Sequence, residues 1–423
     1  MNKKLSLAVT IALSITSVNA MQFQTLGYNA IGMGGAGVAN SSGSVATYNN
    51  PALLAKKKYD VEISLGGGAS TYDHGAGASI QALDNSGFLD TIDKASENVA
   101  SLTASDKQNL INGKNIVLGM NGNAVEIAPH AHLAAQIDGF GIGVFGFSDV
   151  VATAVVDQAH NQLIVSDGTN YVQIADDGTE TSSTQGAYDA SSMQYAIDNG
   201  LTYLDARGIA VIEVPVAYGH KFELSGGNLM VGGAIKYMTG ITYVEELKID
   251  NSDSDTDLKQ DETSSSFGVD LGLAYEPSFV KDLTLALVAK NLNSPEFDFV
   301  TGSKATIDPM VRAGIAYDIF ESLEVAADID LTKNDTFVGD VKSQMLGGGL
   351  NYHPVSWFSV RAGLMRNIDS NDKADMIYTA GLGLGVKWFQ LDLSGQMSQN
   401  TSTVDGEDYP QYAKVNLALI SRW

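Results

Sequence analysis

The sequence predicts an all-β protein: a transmembrane antiparallel β-barrel of about 14 strands, with an N-terminal hatch and a small helical extracellular insertion. Three observations lead there. Hydrophobic residues alternate with polar or glycine residues over strand-length segments, the connections between those segments alternate short with long, and the apolar content of 44% accompanies only 17% charged residues. That composition is too uncharged for an ordinary soluble domain and too apolar for disorder.

Export comes first in the chain. Lys3 and Lys4 precede an apolar stretch from Leu5 to Ile15, and Val18-Asn19-Ala20 is a small-residue cleavage site, so residues 1–20 read as a secretory signal cut after Ala20. The apolar stretch falls short of the ~20 residues that a spanning helix needs, and no other long apolar run follows. With no cysteine in the chain, disulfides, thiolate metal sites and a lipid-anchoring cysteine are all excluded. A formal net charge of −24 without any basic stripe argues against direct nucleic-acid binding.

The strand signal is clearest near the C-terminus. Tyr378, Ala380, Leu382, Leu384 and Val386 share one face, and Thr379, Gly381, Gly383 and Gly385 share the other. Phe389, Leu391, Leu393 and Met397 oppose Gln390, Asp392, Ser394 and Gln396 in the next segment, and the same rhythm runs through 266–273 and 323–332. Segments of about ten residues suit a tilted bilayer crossing. Short turns fall near Gly226, Pro277, Ile319, Pro354 and Trp388, and long polar connections at 250–263, 294–309, 335–342, 370–375 and 399–410. A barrel in a Gram-negative outer membrane keeps short turns on the periplasmic side and long loops outside. Trp357, Trp388 and Trp423 then all fall at the short-turn rim, as an aromatic girdle does. With both chain ends periplasmic the strand number is even. Taking 115–137 as one long strand, bent at Pro129, makes 14.

A barrel of that size leaves a lumen to be filled, and residues 21–58 offer a filler. Gly27 to Ala39 is rich in glycine and alanine, and Asn50-Pro51-Ala52-Leu53 follows as a turn just before the first strand. Gly32, Gly34 and Gly37 satisfy a G-x-G-x-x-G pattern, but no βαβ unit surrounds them, so a dinucleotide site is not indicated.

These residues resemble the N-terminal hatch of the FadL type of outer-membrane transporters for fatty acids and aromatic hydrocarbons. More closely, Met33-Gly34-Gly35-Ala36-Gly37-Val38-Ala39 with Asn50-Pro51-Ala52-Leu53-Leu54-Ala55, together with the helical insert, is similar to the proteins labelled conjugal transfer protein TraF. The resemblance implies a 14-stranded barrel over 59–423 and a hatch with gating residues Gly32, Gly34, Gly35, Gly37, Asn50, Pro51 and Ala52. In the transporter family, displacement of the hatch releases an apolar ligand sideways into the membrane. The expected partners are outer-membrane lipid, lipopolysaccharide and a hydrophobic small molecule, with no cofactor. The TraF label implies an alternative role as a structural component beside conjugation-apparatus proteins.

Two insertions interrupt the barrel pattern. Residues 83–112 show 3,4 spacing, with a helix start near Ser105-Asp106, and predict a helical pair outside the membrane. Residues 157–207 read as a long, polar, partly mobile extracellular loop. Other constellations carry little chemistry. His130 and His132 share a strand face, but two ligands do not make a metal site. Asp253, Asp255 and Asp257 imitate a calcium loop, yet Leu258 and Ser264 stand where glycine and glutamate are required. The six scattered histidines give no local catalytic signature, and no enzymatic activity is expected.

Overall fold

The computed structural model describes residues 18–19, 21–56, 60–249, 261–339, 341–369, 376–386, 388–404 and 406–423. Fourteen antiparallel strands close into a barrel. They are β1 (Val61–Asp73), β2 (Ala124–Ile137), β3 (Phe140–Val155), β4 (Tyr203–Leu224), β5 (Gly227–Lys248), β6 (Asp261–Pro277) and β7 (Leu283–Lys290). The second half is β8 (Met310–Phe320), β9 (Leu323–Asp330), β10 (Met345–Val355), β11 (Phe358–Asn367), β12 (Met376–Val386), β13 (Phe389–Ser398) and β14 (Tyr412–Arg422). Each strand pairs with its neighbours in sequence, and β14 closes on β1 from Glu62↔Arg422 to Tyr72↔Tyr412. Even parity follows, and both ends of the barrel lie on the short-turn side.

Burial is inverted relative to a soluble sandwich. Leu393 is 50% exposed while its neighbour Asp392 is 0% exposed. Leu382, Leu391, Leu417 and Ile235 are likewise exposed, and Asp270, Arg361 and Asn416 are buried. Apolar side chains therefore face outward as a belt and polar ones face the lumen, the arrangement of a barrel whose outer solvent is lipid. Trp357, Trp388 and Trp423 stay exposed at the short-turn rim, joined by Phe140, Tyr218 and Phe320. One of the tight turns there, Asp138-Gly139, has both residues at positive φ (45° and 88°), the twist a two-residue hairpin needs. No described helix is long and apolar enough to cross a membrane.

Three expectations change. The helical insertion is larger than a pair: α3 (Ala76–Asn85), α4 (Phe88–Glu97) and α5 (Ala104–Met120) follow the two short hatch helices α1 (Tyr28–Gly32) and α2 (Ala46–Asn49). Residues 115–120 accordingly finish a helix, and β2 begins only at Ala124. The reason is spacing: Leu110, Gly113, Val117 and Met120 make one buried helical stripe, and Gly113 lets the ring of Phe88 lie directly on α5. The region 157–207, read as a long polar loop, contains a three-stranded sheet (Ile164–Ser166, Tyr171–Ile174, Glu180–Ser182) and two helices, α6 (Gln185–Ser191) and α7 (Met193–Asp198). Its Val165, Ile174, Met193 and Ile197 share one core with Phe88, Ile92, Leu110 and Met120, so both insertions form a single cap on the long-loop end of the barrel. Ion pairs Lys107–Glu180 (2.8 Å) and Lys114–Asp176 cross between them. Finally, β4 and β5 run 22 residues each, about 70 Å at roughly 3.3 Å per residue. They rise well beyond a bilayer and support the cap, whose core Leu204 joins. The acidic triplet Asp253, Asp255 and Asp257 lies outside the described residues.

The start of α5 yields a pH prediction. Thr103 accepts the Asp106 N–H at 3.2 Å, and the Asp106 carboxylate accepts the Thr103 N–H at 2.6 Å, a capping box. A hydrogen bond from Lys94 Nζ, then those from Thr103, hold the Asp106 carboxyl down from 3.8 to about 2. The depressed value means the contribution is complete above the ordinary value and is lost as the pH falls through about 2. Protection of the amides in 104–120, relative to their intrinsic exchange rate at each pH, is expected to fall between about pH 4 and 2, and Asp106→Asn is expected to flatten that dependence.

Candidate gating site in the lumen

Residues 21–55 thread into the barrel and are almost entirely buried. Short polar segments could not be buried unless the backbone found partners, and the wall provides them. Asp328 on β9 accepts the N–H groups of Gly37 (2.7 Å) and Val38 (2.9 Å). Glu62 on β1 accepts from Ser44 N (2.9 Å) and Ser44 Oγ (3.0 Å) and is bridged by Arg422 (2.8 Å). Thr379 on β12 accepts from Gly34 N (2.9 Å) and donates to Gly32 O (3.0 Å), and Gln396 on β13 donates to Ile31 O at 3.0 Å. Tyr28 of α1 lies beneath the guanidinium groups of Arg361 and Arg422, 5.3 and 5.9 Å from its ring centroid.

The sequence-predicted hatch residues all lie inside the lumen. Gly34 and Gly35 adopt φ of 66° and 83°, a left-handed pair that turns the chain after α1. Gly32 packs its backbone on Arg361 and Gly381, and Gly37 on Ala30 and Asn49. Asn50 is a junction: its Nδ2 donates to Val38 O (2.9 Å) and to Leu273 O of β6 (3.3 Å), while its Oδ1 accepts the Ala52 N–H (3.1 Å). Pro51 and Ala52 then open the 3-10 helix Pro51–Lys56. Pro129 stands apart from the hatch. It faces lipid on β2, keeps its pairing with Ala69, and marks a lapse in the β2–β3 ladder that resumes at His130↔Phe147 in unchanged register.

Sequence reasoning missed the other half of the interface. Gly347, Gly349 and Gly363 leave room for Met33 and Gly34, and Gly219 and Gly232 leave room for Pro51 and Ala52. A Cβ at Gly347 would overlap the Gly34 carbonyl, and one at Gly232 would overlap Pro51. Their signal was an inward glycine in mid-strand, which alternation alone assigns to the lumen without naming its occupant.

Around the hatch the lumen divides. Toward the short turns, a cavity of about 850 Å³ is lined by Tyr28, Lys56, Glu276, Glu321, His353 and Arg361, among other mostly polar residues. Deeper charges pair on the wall: Arg361–Asp392 (2.7 Å), and Lys236 with Glu213 (3.0 Å) and Asp270 (3.1 Å). Toward the long loops Phe145, Phe147, Val211, Met238, Val288 and Met310 form an apolar cluster on the inner wall, interleaved with the buried charges of Glu213, Lys236, Lys290 and Arg312. Met21 and Phe23 pack into that cluster, and Phe297 and Phe299 join it from the connection 294–309. His130 bonds Asn416 at 3.1 Å, and His132 stacks on Phe145. Among the described residues no group of three or more His, Asp or Glu side chains could hold a metal ion.

Residues 47–330 match the family described as "F plasmid transfer operon, TraF, protein". The chain belongs to this TraF family. Among solved structures, the TraF-family barrel is similar to the toluene transporter TodX of Pseudomonas putida, with 13% identity, 96% of this chain and 99% of that chain covered, and a TM-score of 0.50. A TodX deltaS2 mutant, a monoaromatic hydrocarbon channel, matches at 13% identity over 95% of this chain and 100% of that chain, TM-score 0.51. The Ralstonia pickettii toluene transporter TbuX matches at 12% identity over 95% and 99%, TM-score 0.50. These likenesses place the TraF-family chain in the TodX type of barrel fold. No curated protein sequence matches it.

Proposed function

We propose that this protein is an outer-membrane channel for small hydrophobic compounds, held closed by its N-terminal hatch. The carrying observation is the buried apolar cluster of Phe145, Phe147, Val211, Met238, Val288 and Met310 on the inner wall. A water-filled pore has a polar interior, and an inward apolar wall serves an apolar occupant instead. The similarity to barrels named as toluene transporters supports the reading. A signal cut after Ala20 would deliver the chain to the periplasm, and an outward apolar belt with an aromatic rim suits the outer membrane. Gly32, Gly34, Gly35, Gly37, Asn50, Pro51 and Ala52 would seat the hatch that blocks the lumen, with Pro129 a bend in β2.

The test is extraction and uptake. Protein purified from the outer-membrane fraction is expected to carry an elongated or aromatic apolar molecule, and proteoliposomes to take up such a probe faster than empty vesicles. Wild-type protein without either property would refute the channel. Asn50→Ala removes three hydrogen bonds of a buried junction, a loss of about 1–3 kcal/mol. It is expected to lower the hatch's protection from proteolysis while the barrel keeps its heat-modifiable gel mobility.

A second reading is favoured by the cap. A loop module with its own hydrophobic core exceeds what a channel mouth requires, and the family description refers to plasmid transfer. In that reading the protein serves a conjugation apparatus through its extracellular face. Deletion of residues 76–120 together with 157–202 would then abolish plasmid transfer while leaving uptake intact.

A further inference from the structure

The lumen has two sets of occupants drawn from the chain itself, and they are held in different ways. We infer that the hairpin of Glu296–Asp298 and Lys304–Thr306 is the moving gate of the lumen, that Phe297 sits where an entering ligand goes, and that the N-terminal hatch is a fixed keystone. This rests on the lumen being a path for apolar compounds.

The hatch is interlocked. Its Met33-Gly34 backbone lies against Gly347, Gly349 and Gly363, and its Pro51-Ala52 backbone against Gly219 and Gly232, so any displacement must vacate two walls at once. Displacement also breaks the hydrogen bonds to Asp328, Glu62, Thr379 and Gln396. An apolar ligand has no donor or acceptor with which to replace them, and orphaned buried polar groups are costly.

The hairpin is different on each count. It leaves β7 through Asn291 (φ 55°) and passes Ser294 (φ 49°), two non-glycine residues in the left-handed region, which concentrates strain at its base. Hydrogen bonds of Asn291, Leu292 and Asn293 with Asp270, Val269 and Phe267 of β6 pin the base, and beyond it, among the described residues, the hairpin is tied to the wall by Thr242 Oγ1 to Asp298 O (2.6 Å) and Asp298 N to Ser264 Oγ (2.9 Å). A third strand, Val18–Asn19, pairs in parallel with Ala305 and Thr306. It precedes the proposed cleavage point, so the mature hairpin keeps two strands, a marginal unit by itself. Phe297 is fully buried in a slot that exists because Gly240 lacks a side chain: a Cβ there would overlap the ring. The ring packs within the apolar cluster, and an apolar ligand replaces such contacts like for like.

The chain has no native cysteine, so introduced thiols report without background. Phe299→Cys and Ala36→Cys, both at buried positions, are made separately in the full-length protein. In proteoliposomes, a charged maleimide is expected to label the Phe299 variant about tenfold faster or more, because local opening exposes the hairpin before the hatch. Two locks then read transport of toluene. Oxidised Ser264→Cys/Asp298→Cys is expected to lose uptake and regain it on reduction. Oxidised Ser44→Cys/Ser64→Cys, whose native hydroxyls are 2.7 Å apart, is expected to retain it. Equal protection of both single thiols, or a hatch lock that blocks uptake while the hairpin lock does not, would overturn the inference. Absence of uptake in every variant, with Phe299→Cys still labelled faster, would remove the channel and leave the gate standing.

Discussion

Deletion of residues 27–55 is expected to yield a barrel that still assembles but no longer stays shut in a planar bilayer. The 14 strands pair with each other and not with the hatch, so their ladder survives the loss. The lumen of a barrel this wide fills with water once the plug is gone, and the inward charges that the hatch covered, Asp328 and Glu62 among them, become solvated. The hairpin carrying Phe297 still spans the lumen, so the openings are expected to be brief and noisy. Removing residues 295–307 as well should convert them to steady conductance at least about tenfold above wild type. Gly232→Leu and Gly347→Val should approach the deletion phenotype, since either side chain occupies space held by hatch backbone. Silent bilayers with every one of these variants would mean that other side chains close the lumen.

Arginine on the outer face should give the second large effect, and the effect should depend on depth. Leu393 lies in the middle of β13, paired with Leu382, and is exposed to lipid. Leu393→Arg is expected to cost about 2–4 kcal/mol at the bilayer midplane and to show as a fall in folded, heat-modifiable protein. Leu384, close to the short-turn rim that bears Trp357 and Trp388, should cost less with the same substitution, about 0–1 kcal/mol near the interface. Alternation alone would rank Gly383→Ser as harmless because it faces the lumen. The structure reverses that: a Cβ at Gly383 would overlap Ser359 Oγ and stand 2.8 Å from Asp392 Oδ2, inside the network of the Arg361–Asp392 pair. Equal yields of the Leu393 and Leu384 arginine variants would show that the membrane belt is misplaced along the barrel.

The barrel itself was legible in the sequence because its rules are local. A period of two assigns every residue of β12 and β13 to lipid or lumen, and turn spacing with parity leads to 14 strands without any knowledge of packing. The hatch was visible as a run of small residues, and Asn50 as its turn. What those residues touch was not, because Gly34 meets Gly347 more than three hundred positions away, and a glycine in a strand carries no mark of the backbone that will lie on it. The cap shows the same limit. Leu110 and Met193 are each too sparsely placed among polar neighbours to announce a core, and they share one only because β1 to β4 are adjacent in the closed sheet. The fate of Phe297 was settled at the same level: its segment reads as a polar outer loop, and the missing side chain at Gly240 leaves the slot that the ring fills. Periodicity along the chain decides which face a residue takes, whereas burial of a particular side chain depends on the shape of distant surfaces that exist only once the barrel has closed.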